Sequence, residues 1–323
     1  GIPIGLMEGV QQKVGHIAGM SYMVDGARVF GCSAVDNGIK PPVISAIMKA
    51  YSTEIGQQAS KDAMDVLAGS GVMQGKNNVM GNAYSSAPVP VTVEGANIMT
   101  RTLMIFGQGA TRCHPYAFNV IEAVEGGDTA SFRKNLSSWM LQFAKGGVMT
   151  LVRGITRGFL TVKQPKNVAK ETKTYYRRLG WSATRYGFLT NLAMFLVGGK
   201  LKVKGNLTGR YADALAWMYL AISALRRFEA EGRKAEDLPL LQYSCEYALA
   251  KSQEAFVGIY QNFGGPVGAV LRTLGLITLS INPLGRMPTD KMSAASAQTI
   301  QKFDDQFRRV TQGQFIPEDQ SFG

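Results

Sequence analysis

Glu94 is the only carboxylate between Pro88 and Pro115. It stands where a Pro-containing run, residues 88–93, gives way to a helical pattern carrying Ile98, Thr102, Ile105 and Phe106. The run is read as extended. Backbone N–H groups at a helix start have no intrahelical acceptor, so they are free to bind anions or polarised carbonyl oxygens. A lone acid at such a place has two roles open to it: it caps the helix dipole, or it takes a proton from a substrate held against those N–H groups. Its neighbours Val91, Val93, Ile98 and Met99 are apolar and would withdraw it from water, which suits a general base. The residues alone leave both roles standing.

Other chemistry-bearing residues are sparse. His16 and His114 are the only histidines, and Cys32, Cys113 and Cys245 lie far apart with no metal-ligand spacing. No metal site is expected, and three scattered cysteines suit a reducing, cytoplasmic compartment. Neither a Ser-His-Asp elbow nor an HExxH helix is present, and both histidines are read as satisfied structural residues. Gly69-Ser70-Gly71 with Gly75 resembles a phosphate-cradling loop only superficially. It follows a helix and lacks the Lys-Ser/Thr of a P-loop, so it reads first as a helix end followed by turns.

The elements that must position these residues are helical. Residues 8–36 form one helix, ended by Asn37-Gly38. Pro41-Pro42 opens a second, in which Ile44, Ile47, Met48, Tyr51 and Ile55 follow the i, i+3, i+4, i+7 pattern as far as about Leu67. Two long helices with a short link suggest a bundle. Residues 69–93, rich in Gly, Asn and Pro and including Asn77 and Asn78, read as a long loop. A third helix runs from after Glu94 to about Gly107, and a short one from Tyr116 to Val124. Further helices are expected at 129–146, 167–197, 208–231, 237–262 and 289–310, with Asp128, Thr208 and Asp237 as N-caps. Gly198-Gly199, Gly232 and Gly264-Gly265 are the expected stops. No period-two alternation stands out, so the fold class is all-α: a helical bundle followed by a second helical domain. Gly126-Gly127-Asp128 is the expected boundary, which gives domains of 1–125 and 126–323.

With 46% hydrophobic and 18% charged residues, the chain can bury a sizeable core. Its net charge of +12 is concentrated: residues 153–210 contain thirteen Lys or Arg and one acid, Glu171. Tyr175, Tyr176, Trp181 and Tyr186 lie among these bases. Three readings stay open for the segment. They are a solvated basic face, an anionic membrane surface contacted through the apolar run Phe188–Val197, and, least favoured, nucleic acid. That run is about half the ~20 residues needed to cross a bilayer. Gly1-Ile2-Pro3 in place of an initiator methionine is read as processing or as the edge of a longer protein.

The stretch Val93-Glu94-Gly95-Ala96-Asn97-Ile98-Met99-Thr100-Arg101 resembles the Glu-Gly-Thr-x-x-Ile-x-Arg motif of acyl-CoA dehydrogenases. Thr-Val-Glu-Gly-Ala-Asn-Ile at 92–98 and Ile-Phe-Gly-Gln-Gly-Ala at 105–110 are similar to the large bacterial fatty acyl-CoA dehydrogenase branch. Residues 62–71 look like that family's Asp-Ala-x-Gln-x-x-Gly-Gly-x-Gly helix end, and Pro3-Ile4-Gly5-x-Met7-Glu8-Gly9 also matches the branch. Gly198-Gly199-Lys200-Leu201-Lys202, Ala212-Asp213-Ala214-Leu215 and the run from Pro283 to Lys291 resemble landmarks of its C-terminal helical extension.

The resemblance implies FAD as cofactor and Glu94 as the base that removes the α-proton of a long-chain acyl-CoA thioester. It places the thioester against Glu94 and Gly95. Gly69 and Asp65 then approach the FAD of a neighbouring subunit, so a homo-oligomer is implied, and electron-transferring flavoprotein is the implied electron partner. Three departures stand out: Asp65 replaces Gln, Ala68 replaces the first Gly, and Ala96 replaces Thr. The family's N-terminal and middle domains would precede Gly1, so residues 1–323 are expected to be its C-terminal portion and inactive by themselves. The alternative reading is a non-catalytic basic helical module that docks a partner or the bacterial inner-membrane surface.

Overall fold

The computed structural model describes residues 1–75 and 78–313. Among them every regular element is helical. Helix α1 (Glu8–Asp36) and helix α2 (Pro42–Leu67) pack on one another, joined by a short link. The short helices α3 (Gly69–Val72), α4 (Gly81–Ser86) and α5 (Val89–Thr92) follow. The expected loop 69–93 is thus interrupted by helical turns, and the expected extended run 88–93 is mostly helix α5. Prolines are tolerated in a first turn, because the N–H they lack has no intrahelical acceptor there. Asn77, read as part of that loop, lies outside the described residues.

A composite helix follows Glu94: α6 (Asn97–Met99), a π-helical stretch Thr100–Gln108, and α7 (Gly109–Arg112). It stays helical past Gly107, to Arg112, and is closed by Cys113-His114-Pro115, the stop read from the sequence. Helix α8 (Ala117–Glu125) is the short helix read from the sequence. Helices α9 (Thr129–Thr156), α10 (Lys173–Leu196), α11 (Gly205–Ala230) and α12 (Leu238–Asn262) correspond to four of the expected helices. The Asp128 side chain caps α9 by accepting from the N–H groups of Ala130 and Ser131. Thr208 caps nothing: it is buried inside α11, where its hydroxyl donates to the Lys204 carbonyl. Asp237 occupies the N-cap position of α12 without a capping bond, and its carboxylate accepts from Arg309 instead.

Helix α13 (Gly265–Ile281) was not expected, and the stretch read as one helix over 289–310 is broken into α14 (Asp290–Ile300) and α15 (Asp305–Val310). Asp304 explains the break. Its side chain accepts from the N–H of Phe307 and so starts a new helix.

Helices α11 and α12 form the centre. Ala212, Ala214, Leu220, Ala224, Leu225, Leu241, Leu249 and Phe256 are completely buried. Helix α1 lies against α11, α12 and α14. Its glycines make this possible: a Cβ on Gly15 would stand 2.3 Å from the Ser293 carbonyl oxygen, and one on Gly19 would stand 2.3 Å from the Tyr243 ring. The Ser244 and Ser296 hydroxyls then reach the Gly19 and Gly15 carbonyls at 2.8 and 2.9 Å. One contiguous apolar core therefore spans residues from α1 to α15.

The Gly19→Ala substitution forces the Tyr243 ring out of its place. A loss of about 1–3 kcal/mol is expected, measured by urea unfolding against the wild-type chain.

Candidate active-site loop

Glu94 and Gly95 both adopt left-handed backbone conformations, with φ of +56° and +92°. For a glutamate this costs on the order of 1–3 kcal/mol, so neighbouring groups must impose it. Helix α2 supplies them. The Lys49 ammonium donates to the Gly95 carbonyl at 2.6 Å, the Asn97 side-chain oxygen at 2.7 Å and the Val91 carbonyl at 3.3 Å. Thr100 adds its hydroxyl to the Gly95 carbonyl at 3.3 Å. Asn97 is buried, and its amide nitrogen faces the Ala50 carbonyl, the Thr53 hydroxyl and the Glu54 carboxylate at 3.2, 2.9 and 3.0 Å. The loop is thus gripped on both sides of Glu94 by one turn and a half of α2.

A second tie lies one helical turn further on. Arg101 makes a two-pronged ion pair with Asp213 of α11, Nε to Oδ1 at 2.6 Å and the second nitrogen to Oδ2. The Tyr51 hydroxyl of α2 donates to the same Asp213 oxygen at 2.6 Å. The Asp213 hydrogen bond holds Arg101 still more firmly protonated than usual, and burial raises the Tyr51 phenol. Two adjoining cavities open here. One, of 360 Å³, is lined by Tyr51, Glu54, Asn97, Ile98 and Arg101. The other, of 600 Å³, is lined by Tyr51, Arg101, Asp213, Trp217 and Lys251.

The Glu94 side chain itself is exposed. Its expected apolar shield is not formed by the described residues: Val93, Ile98 and Met99 are 49%, 80% and 48% exposed. This corrects the expectation of a desolvated carboxylate.

Gly69 is exposed, and a Cβ added to it would meet nothing within 4 Å. Asp65, half exposed, is paired with Lys13 at 2.9 Å. The same lysine reaches buried Asp62, which also accepts from His16 at 2.6 Å and Gln58 at 3.0 Å. Burial alone would raise the Asp62 carboxyl, but these hydrogen bonds outweigh it and hold it below its ordinary range. Within one chain Gly69 and Glu94 are not brought together. The loop's ties reach along α2 as far as Glu54, and Gly69 follows the end of α2 at Leu67, roughly 20 Å further along the helix axis at 1.5 Å per residue.

His114 is held by hydrogen bonds at both ring nitrogens. Its Nδ1 accepts from the N–H groups of Tyr116 and Ala117 at 3.2 and 3.0 Å, which leaves Nε2 to donate to Asn191 at 2.9 Å. Burial lowers its tendency to protonate. Among the described residues no cluster of His, Cys, Asp or Glu could hold a metal ion.

A strained acidic loop clamped to a helical bundle defines a class of site in which the backbone, rather than a mobile side chain, fixes where the carboxylate can reach. Comparison with known families places it more closely. Residues 2–106 match the acyl-CoA dehydrogenase C-terminal domain, and residues 111–322 match the bacterial-type acyl-CoA dehydrogenase C-terminal region. The chain belongs to the acyl-CoA dehydrogenase family. A crystal structure of an acyl-CoA dehydrogenase complexed with FAD from Bacillus anthracis shares the fold, with a TM-score of 0.66 at 14% identity. The similarity covers 92% of this chain and 49% of that one, so the chain spans about half the length of that enzyme.

Sequence reasoning singled out Glu94 and Gly69 as candidates, but gave Lys49, Tyr51 and Asp213 no part in holding the Glu94 loop. A lysine on an amphipathic helix reads as solvated, and only the tertiary fold brings Asp213 to Arg101.

Ala68, where the sequence resemblance would have a glycine, adopts a glycine-like backbone with φ +50° and ψ −127°. Ala68→Gly is therefore expected to raise stability by about 1 kcal/mol in chemical denaturation.

Proposed function

We propose that residues 1–323 are the C-terminal part of an FAD-dependent dehydrogenase of long-chain fatty acyl-CoA thioesters, with Glu94 as the base. The observation that carries this reading is the clamped left-handed Glu94-Gly95 pair. A non-glycine residue held in that conformation by four hydrogen bonds around it marks a functional loop more readily than a plain helix cap. A plain cap would also accept from the N–H groups of the helix it begins, and Glu94 makes no such bond.

In this reading Glu94 removes the α-proton and Gly95 lies against the thioester. FAD, when bound, supplies the acceptor for the β-hydrogen as hydride, and the product is a trans-2-enoyl-CoA. The residues present fit an approaching dinucleotide at Gly69, where the backbone is bare. Lys13 neutralises Asp65 there, so this carboxylate does not oppose a phosphate. The separation of Gly69 from Glu94 along α2 supports their serving two different flavins in a homo-oligomer. The exposed apolar neighbours of Glu94 suit a loop whose pocket is closed by surfaces other than residues 1–323, so this segment alone is expected to lack turnover. Electron-transferring flavoprotein is the proposed electron acceptor, and the segment division at 125/126 is proposed to separate the loop-bearing bundle from the extension.

In the full-length flavoenzyme, Glu94→Gln should retain flavin and lower the rate of acyl-CoA oxidation by roughly 10²–10⁴-fold. Substrate α-proton exchange in D₂O should fall with it. Unchanged exchange would remove Glu94 from the role of base.

A second reading, surface docking, is favoured by one observation. The segment expected to contact lipid, Phe188–Val197, is largely core: Leu189, Leu192 and Ala193 are buried, as are Tyr175, Tyr176 and Trp181 among the bases. Phe195 and Leu196 at its end are exposed, and a longer run of exposed apolar residues lies on two other helices. These residues are Leu141, Val148, Leu151 and Ile155 of α9, and Val267, Val270, Leu274, Ile277 and Ile281 of α13, at three- and four-residue spacing. The two helices meet where the Asn282 amide donates to the Gly154 carbonyl at 2.7 Å. Residues 129–170 carry eight Lys or Arg and residues 255–289 carry two, and neither stretch contains an acid. The exposed acids near this face, Asp128 and the Glu122 and Glu125 of α8, sit at the start of α9, and the mainly cationic border beyond them suits an anionic lipid surface. No helix among the described residues is long and apolar enough to cross a membrane. Flotation with vesicles containing anionic lipid, but not with purely zwitterionic ones, is expected. Loss of flotation in Leu151→Asp/Ile277→Asp would locate the contact, and equal recovery with both vesicle types would refute it.

A further inference from the structure

Lys49 is half-buried on α2 and makes no ion pair with a described acid. An ammonium has three N–H donors, and here three neutral oxygens, those of Val91, Gly95 and Asn97, take them. A lysine placed for solubility would point to water, and one placed for stability would face a carboxylate. This one faces two backbone carbonyls, one before and one directly after Glu94. The Asn97 amide fixes the third acceptor, because its nitrogen is engaged by Ala50, Thr53 and Glu54 and its oxygen is thereby turned to Lys49.

We propose that Lys49 is the positioning residue of the Glu94 loop: its ammonium, oriented by Asn97, holds the carbonyls of Val91 and Gly95 so that Glu94 keeps its left-handed backbone and a fixed reach. This inference rests on the assignment of Glu94 as the base. Lys49 touches no reacting atom in this role. It acts through the loop, and it acts on proton removal more than on binding of the remote parts of the substrate.

The arrangement separates the contributions of two neighbouring contacts. The Thr100 hydroxyl also reaches the Gly95 carbonyl, but from the same side of Glu94 as Asn97. Among the described residues, only Lys49 bridges from residue 95 back to residue 91. Loss of the lysine therefore frees the entry to Glu94 while its exit stays tethered. The carboxylate is expected to sample several positions, with the helix that follows it left in place.

The test uses the full-length flavoenzyme. Lys49→Met is expected to lower kcat by about 10- to 100-fold, as removal of an orienting partner typically does, with KM for acyl-CoA and bound flavin close to wild type. The rate of substrate α-proton exchange in D₂O should fall in parallel with kcat. Lys49→Arg, whose guanidinium can still donate to the two carbonyls, should recover part of the loss, and propylammonium added to Lys49→Ala should do the same. A purely structural lysine would change thermal stability without this kcat-against-KM split and without amine rescue. Wild-type kcat in Lys49→Met, with Glu94→Gln inactive, would overturn the positioning role alone. Wild-type exchange in Glu94→Gln would instead overturn the assignment of the base. If Lys49→Met yields no folded holoenzyme, Lys49→Arg and Asn97→Asp give the same comparison: partial kcat loss at constant KM supports the role, and wild-type kcat in both overturns it.

Discussion

Three helices that are far apart in sequence meet at one carboxylate. Asp213 of α11 accepts the fork of Arg101 and the hydroxyl of Tyr51, and so ties α2, the π-helical stretch and the central helix together. Each partner is fixed differently. Tyr51 is set by the core around α2, Arg101 by the helix that leaves the Glu94 loop, and Asp213 by a helix whose neighbouring residues Ala212 and Ala214 are completely buried. A two-pronged guanidinium–carboxylate pair is directional, so it specifies the rotation of the Arg101 helix and not merely its proximity. Packing reinforces the setting: Phe106 stacks on Tyr211 with ring centres 4.2 Å apart. The extension beyond residue 111 is thus part of the frame that holds the acidic loop.

The same extension absorbs much of the positive charge. Arg178 pairs with Glu246 and donates to the Leu284 carbonyl, Arg153 donates to Thr161, Thr184 and the Gly180 carbonyl, and Arg309 bonds Asp237 and Glu236. Arg185 is the extreme case. It is buried among Trp181, Phe256 and Tyr260, with ring centres 5.5–5.9 Å from the guanidinium carbon, and has no carboxylate partner among the described residues. The π faces supply the negative potential that an acid would otherwise provide. A basic composition therefore describes two populations: guanidiniums that knit helices together inside, and lysines and arginines that fringe the α9 and α13 face outside.

The long helices were legible because their periodicity and stops are local. Helix α1 begins and ends where the spacing and Asn37-Gly38 place it, and Asp128 caps α9 as its type suggests. Helix α13 was not legible, because Gly264-Gly265 read as a stop and the run after them is mostly apolar, with little polar patterning to mark a period. The turns of α4 and α5 were hidden by Gly and Pro, whose local preference is overridden by packing on α2. At the site, Glu94 could be found from the motif around it. Its clamp could not, since Lys49 and Asp213 gain their meaning from contacts 46 and 112 residues distant in sequence.

The seam between α1 and α14 carries a consequence for how the molecule is made. The Gly15 backbone lies against Ser293 and Ser296, and the Gly5 carbonyl accepts from Gln301. A nascent chain leaving the ribosome presents α1 well before α14, at about 5–20 residues per second. For several seconds or more α1 has α2 but not α14 beside it, and its glycine-lined face stays open to other chains. Sequestration of that face, by a chaperone or by helices α11 and α12 as they emerge, is then a step in biosynthesis that the finished fold no longer reveals.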